Sequence, residues 1–320
     1  MKRPAILSLG SVNADFQVRT GDAPPDAELQ LAHDFVRLSG GKAANVAFMA
    51  RRLGVAAQLI ARVGDDDLAD QALGGLAAAG VDLSGVSAAP DTATGVAMIA
   101  VPDDGDKHIV LAANANQAWR GADAARARTI VEEAAAGSVL VVDCEVPAFV
   151  VEAAVEAAVR RGVRVVIDPS PPQRLSPKAL AMATAITPNA EEAGVLAGLA
   201  IDGPQGAAKA AVRLTARGPG VACIKLADGG AVVAHEGRLS LVPPAPVEVV
   251  DKTGAGDAFT GAFACALLEG QPALEAAVLA TAAASLAVTA YGSQPAYAPR
   301  GRIEQLASDL RPDVRTLDAA

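Results

Sequence analysis

Short apolar, β-branched runs alternate with Ala- and Leu-rich helical patterns along most of this chain, and that alternation restricts the fold more than any other feature. The strand candidates are AILSLGSV (5–12), AQLIARVG (57–64), SVLVVDC (138–144), VRVVIDP (163–169) and VACIKL (221–226). Between them KAANVAFMARRLG, DLADQALGGLAAAG, AFVVEAAVEAAVRRG and GAAKAAVRLTARG have helical spacing, and each stops at a glycine. A strand that is apolar almost throughout must be covered on both faces, which in practice means parallel strands joined by helices. The chain therefore predicts an α/β fold with a mostly parallel central sheet, built as a single domain over residues 1–320.

Two stretches break the rhythm. Residues 15–38 (DFQVRTGDAPPDAELQLAHDFVRL) and 95–113 (GVAMIAVPDDGDKHIVLAA) read as strands without intervening helices, with PDDGD as a turn. Paired, they would form a small sheet projecting as a lid over a site at the strand ends. The edges of such a sheet could pair with a second copy, giving a homodimer. The charged residues 309–320 are expected to fray.

A net charge of −9 without a Lys/Arg block argues against a nucleic-acid partner. The longest apolar stretch, PALEAAVLATAAASLAVTAYG, carries Glu275 and many small residues, so it reads as a buried helix and not a membrane span. The chain turns polar too soon after Met1 for a signal peptide. Cys144, Cys223 and Cys265 lack metal-ligand spacing and fit reduced, buried thiols of a cytoplasmic protein.

Polar clusters interrupt the apolar pattern. GSVNAD, at the end of the first strand run, offers Asn13 and Asp15. A carboxylate accepts two O–H bonds while an amide donates and accepts, so the pair suits vicinal hydroxyls; a turn with an Asx cap is an equal alternative. SGGKAANVA opens a helix with Gly40, Gly41, Lys42 and Asn45. It lacks the G-x-x-x-x-G-K-[ST] order of a P-loop, but a glycine pair admits close backbone approach, and Lys42 and Asn45 reach out from the first turn. An ordinary glycine-rich helix start is the alternative.

VEVVDKTGAGDAFTGAFACALLEG (247–270) reads as strand, glycine turn and helix, the kind of helix start whose free N–H groups attract anions. A dinucleotide fingerprint would need glycine where Phe259 stands, and the acidic residue expected about 20 positions on is missing, which disfavours a nicotinamide dehydrogenase. Asp257 in the first turn of an anion site costs like-charge repulsion unless it takes a proton from an attacking hydroxyl, the role phosphoryl transfer requires. In TPNAEEA (187–193), Asn189 and Glu192 stand i, i+3. They suit either a capping box, the favoured reading, or an amide–carboxylate pair beside a hydrated Mg²⁺.

In this order and on this α/β rhythm, GSVNAD, SGGKAANVA, TPNAEEA and DKTGAGDAF resemble the ribokinase-like (PfkB) family of sugar kinases from about residue 5 to residue 300. The last motif is similar to that family's D-T-x-G-A-G-D signature. The resemblance implies a three-layer sandwich with a small β-sheet lid, and ATP-dependent phosphorylation of a hydroxymethyl group on a small sugar. It implies Asp257 as the base and the N–H groups of Gly254, Ala255 and Gly256 as the anion hole. Sugar contacts would come from Asn13, Asp15, Gly41, Lys42, Asn45 and Glu145. Asn189 and Glu192 would serve Mg²⁺ and phosphate; Lys225, Ala227 and Gly230 of KLADGG would line the nucleotide phosphates; and the helix from Thr281 toward Gly292 would flank the adenine. A monovalent cation, K⁺, would sit near Asp251, Thr253 and Gly292.

The chain departs from that pattern at Ala43 and Ala227, where glycine is common, at Lys252, where a small or polar residue is usual, and at Ala296, where serine is frequent. The lid stretch TGVAMIAV…ANANQAW favours ribose, with fructose, keto-deoxygluconate and nucleosides as alternatives; an aromatic content of 3% offers few stacking partners for a purine substrate. A non-catalytic sugar- or nucleotide-binding regulator is the alternative of a different class, and the intact Gly-Ala-Gly-Asp speaks against it.

Overall fold

A computed structural model describes residues 3–21, 29–102 and 107–318. The chain opens with β1 (Ile6–Leu9), β2 (Asn13–Thr20), β3 (Ala32–Gly40), α1 (Lys42–Arg52), β4 (Ala57–Ile60), β5 (Arg62–Gly64) and α2 (Leu68–Ala78). Then come β6 (Ser87–Ala89), β7 (Gly95–Val101), β8 (His108–Ala112), α3 (Gly121–Glu132), β9 (Val139–Val142), α4 (Ala148–Arg161) and β10 (Arg164–Ile167). They are followed by α5 (Pro177–Ala181), β11 (Ala185–Ile186), α6 (Ala190–Ala197), α7 (Gly203–Thr215), β12 (Val221–Lys225), β13 (Ala231–His235) and β14 (Arg238–Val242). The last elements are α8 (Ala255–Leu268), α9 (Ala273–Ala287), α10 (Arg300–Leu310) and β15 (Arg315–Leu317).

Nine strands form the main sheet in the order β15-β14-β13-β12-β11-β10-β9-β1-β4. Strands β4 to β12 in that order run parallel, and β13, β14 and β15 add an antiparallel edge. Successive residues of a strand face opposite sides, and the core divides accordingly. Ile6, Val139 and Val141 pack with α1, α8 and α9, whereas Leu7, Leu140 and Val142 pack with α3, α4 and α7. Both faces are therefore covered, which explains why the strands read as uninterrupted apolar runs.

The run 57–64 is two strands, not one: β5 leaves the main sheet and pairs with β6. The C-terminal residues do not fray as far as Asp318. Strand β15 pairs antiparallel with β14, and Val314 and Leu317 are half-buried on the two core faces, which anchors the segment. Helix α9, the longest apolar stretch, is buried among α8, α10 and β13. Among the described residues no helix is long and apolar enough to cross a membrane.

A second sheet has the order β3-β2-β7-β8. The expected PDDGD turn lies mostly outside the described residues, as does 22–28. Register pairs Asp15 with Ala97 and Met98 with Val110, so Asp15, Gln17, Ala97 and Ile99 share one face and Phe35, Met98 and Val110 the other. In the main sheet the chain leaves β1 toward β4 on one side and resumes at β9 on the other. Such a reversal opens a crevice at the carboxyl ends of the two strands, where Gly10–Asn13 and Asp143–Glu145 emerge.

Candidate active site

A cleft of about 720 Å³ occupies that crevice, roofed by the small sheet. Its sugar-sized end is built from β2, the start of α1 and the segment after β9. Lys42 N–H donates to Ser11 Oγ at 2.9 Å and Ala44 N–H to Ser11 O at 3.3 Å, tying α1 to the end of β1. At Gly41 (φ 94°) a Cβ would meet Val12 Cα at 2.5 Å, so only glycine admits this approach. Asn116 donates to Asn13 Oδ1 at 2.8 Å and fixes the orientation of that amide. Buried Asp143 accepts N–H bonds from Ser11 at 2.9 Å and Glu145 at 2.8 Å, joining the two loops of the crevice.

The signature turn closes the other wall. Gly254 caps α8 with φ 76°, a left-handed conformation suited to glycine, and Tyr297 OH donates to its carbonyl at 2.8 Å. The first helical bond of α8 runs from Ala258 N–H to Gly254 O at 2.9 Å. The N–H groups of Ala255, Gly256 and Asp257 therefore precede the ladder, and Gly254, Ala255 and Gly256 all line the cleft. Asp257, 6% exposed, accepts from Asn45 Nδ2 at 2.7 Å and pairs with Lys42 Nζ at 3.6 Å. Gln294 in turn donates to Asn45 Oδ1 at 3.1 Å. Lys42 and Asn45 at the start of α1, the signature aspartate and Gln294, far apart in sequence, thus meet at one point.

Charge is concentrated here. Burial, reinforced by the carboxylates of Asp257 and Glu145, pushes the Asp15 carboxyl up to about 8. Burial also raises Asp143 and Glu145. Burial alone would lower the Lys42 ammonium, but Asp257, Asp168, Glu145 and Glu192 together hold it well above its ordinary value. Lys107 is shifted down, by burial first and by Lys42 and Lys252 next, against the pull of Asp257.

Another part of the cleft wall is apolar, formed by Ala245, Val247, Val249, Ala284 and Val288. Lys225, Ala227 and Gly230 line the cleft, and a Cβ on Gly256 would come within 3.4 Å of Lys225 Nζ, which places that ammonium at the Gly254–Gly256 turn. Asn189 and Glu192 form the reciprocal capping box, both bonds 2.8 Å, and line the cleft as well. Thr281 does not line it. Its side chain is fully buried and its hydroxyl donates to Ala277 O at 2.9 Å; Ser285, one turn later on the same face of α9, faces the cleft instead. Asp251 and Gly292 lie behind the wall, joined by a Gly292 N–H bond to Asp251 Oδ2 at 2.8 Å, and Thr253 N–H donates to Asp251 Oδ1 at 2.8 Å.

Sequence reasoning missed Lys107 and Asp168. Lys107 lines the cleft beside Ile109 and Leu111, and its Nζ donates to Lys252 O at 2.9 Å. Its signal was the period-two spacing 107, 109, 111 across the edge of β8. Asp168, at the end of β10, accepts from Thr260 Oγ1 at 3.2 Å and pairs with Lys225 at 3.4 Å, which with Lys42 holds its carboxyl below the usual range despite burial.

The chain matches the pfkB family carbohydrate kinase model over residues 3–299. It belongs to that family. The ribokinase of Haemophilus influenzae is 32% identical over 292 residues, covering 91% of this chain and 94% of the relative. The ribokinase of Bacillus subtilis is 32% identical over 303 residues, covering 95% and 99%. The structure of Arabidopsis thaliana ribokinase complexed with ribose and ATP superimposes with a TM-score of 0.82 at 28% identity, covering 96% of this chain and 99% of that one. As a pfkB kinase, the chain is a phosphotransferase acting on a sugar hydroxyl.

Proposed function

We propose that this chain is an ATP-dependent ribose kinase. The observation that carries the reading is the meeting of Asp257 with Lys42 and Asn45, directly before the free N–H groups of a helix start. A sugar held by Asn13, Asp15, Gly41, Asn45 and Glu145 offers its hydroxymethyl group to Asp257, which accepts the proton as the oxygen attacks the terminal phosphorus of ATP. The bond to the bridging oxygen breaks and ADP leaves. N–H groups of residues 254–256 and the Lys42 and Lys225 ammoniums take up the charge on the transferring group.

Mg²⁺ fits with the nucleotide: Glu192 keeps one carboxylate oxygen outside its capping box. The ion's remaining ligands would be phosphate and water, and bound there it neutralises polyphosphate charge. K⁺ fits behind the signature turn. The buried hydroxyls of Thr253 and Ser293 have no hydrogen-bond partner among the described residues, and Ser293 Cβ lies close to Gly254 of that turn. A second copy would pack on the outer face of the small sheet, which also serves as the lid. An ATP-consuming sugar kinase belongs in the cytoplasm.

The test is ADP release over a panel of pentoses, hexoses and nucleosides, with and without K⁺, together with Asp257→Asn. Ribose should give the highest kcat/KM. The variant should lose about 10²–10⁴-fold in kcat while ATP still binds. Another sugar preferred tenfold, or an undiminished variant, overturns the reading.

A further inference from the structure

Asp251 is fully buried, and its two oxygens tie together three remote parts of the chain. Besides the bonds from Thr253 and Gly292, Oδ2 accepts from the carboxamide Nε2 of Gln17 at 2.6 Å. Gln17 is itself 0% exposed, and its Oε1 has no partner among the described residues. A buried carboxamide with an idle oxygen is unfavourable, and among the described residues the bond to Asp251 is the hydrogen bond that orients this side chain.

The strand explains where that bond leads. Side chains at i, i+2 and i+4 of a strand share a face, so Asn13, Asp15 and Gln17 of β2 point the same way. The first two line the sugar end of the cleft, while the third grips the carboxylate whose other oxygen holds Thr253, one residue before the Gly254 turn. A short, stiff stretch of backbone therefore carries the sugar contacts and a handle on the anion hole.

We propose that Gln17 is a positioning residue that couples sugar binding to the phosphate-binding turn. A sugar that engages Asn13 and Asp15 sets the position of β2, β2 sets Gln17, and Gln17 sets Asp251 and the N–H groups beyond it. Nucleotide then binds more tightly to the sugar-loaded enzyme, and by reciprocity sugar binds more tightly in the presence of nucleotide. This inference rests on the kinase reading above.

The experiment is calorimetric titration of the full-length chain with Mg²⁺ and a non-hydrolysable ATP analogue, adenylyl imidodiphosphate, with and without saturating ribose. For the unaltered chain, ribose should tighten the analogue about fivefold or more. Gln17→Met keeps the length and loses the donor; the ratio should fall to within about twofold of one, with kcat reduced more than the KM for ribose. In the pair with Asp251→Asn the two losses should not add, since both break one link. A merely structural glutamine would lower the melting temperature and leave the ratio intact, and that result overturns the proposal, as does a ratio near one in the unaltered chain. If Gln17→Met fails to fold, Gln17→Asn, whose shorter amide falls out of reach, is read by the same ratio. ADP release from ATP with ribose as acceptor separates the two claims: intact release by the unaltered chain with no coupling defeats this inference alone, and absent release defeats the ribose-kinase reading.

Discussion

Asp15 illustrates how one residue's environment sets its chemistry. Its carboxyl shares a dry wall with Asp257 and Glu145, and burial with those neighbours pushes it up to about 8, so in the free enzyme it carries a proton at pH 7. A sugar that donates two O–H bonds needs the carboxylate, so binding must expel that proton. The sign follows: ribose affinity should rise with pH, by up to about tenfold per unit below 8, and level off above it. Calorimetry in buffers of different ionisation enthalpy should show proton release at pH 7, and Asp15→Asn should flatten the profile at weaker affinity. Asn13 and Asp15 stood out in the sequence as polar residues at a strand end, where a hydroxyl-binding pair and an Asx-capped turn were equal readings, and both line the cleft. The raised proton affinity was not legible, because it comes first from burial under the folded chain and then from carboxyls 130 and 242 positions away.

At the scale of elements, α6 shows a local motif with two duties. The box between Asn189 and Glu192 satisfies two donors at the helix start, and both residues also line the cleft, where the proposed function puts the nucleotide. Asn189→Ala should therefore cost about 1 kcal/mol of stability in chemical denaturation and raise the KM for ATP several-fold. A purely structural cap would show the first effect without the second. Capping chemistry is written in four consecutive residues and was readable. In α9, spacing announced the helix and its burial but not its rotation, so Thr281 was expected where Ser285 stands. An element hydrophobic all round leaves its facing to the packing of its neighbours.

For the whole molecule, the outer face of the small sheet carries exposed apolar side chains still to be accounted for: Phe35, Met98 and Val110 are 57%, 60% and 72% exposed. Patches of this kind mark interfaces. Light scattering should find a dimer, and Met98→Asp with Val110→Lys should shift it to monomer. The sequence by itself determined the α/β class, the four ordered motifs and the small sheet's strands, because periodicity, turn chemistry and glycine requirements act within a few residues. Tertiary structure alone decided the antiparallel edge that β15 completes, the departure of β5 from the main sheet and the grip of Gln17 on Asp251. Each depends on segments brought together from distant parts of the chain, and a contact between residues 234 positions apart leaves no local pattern to read.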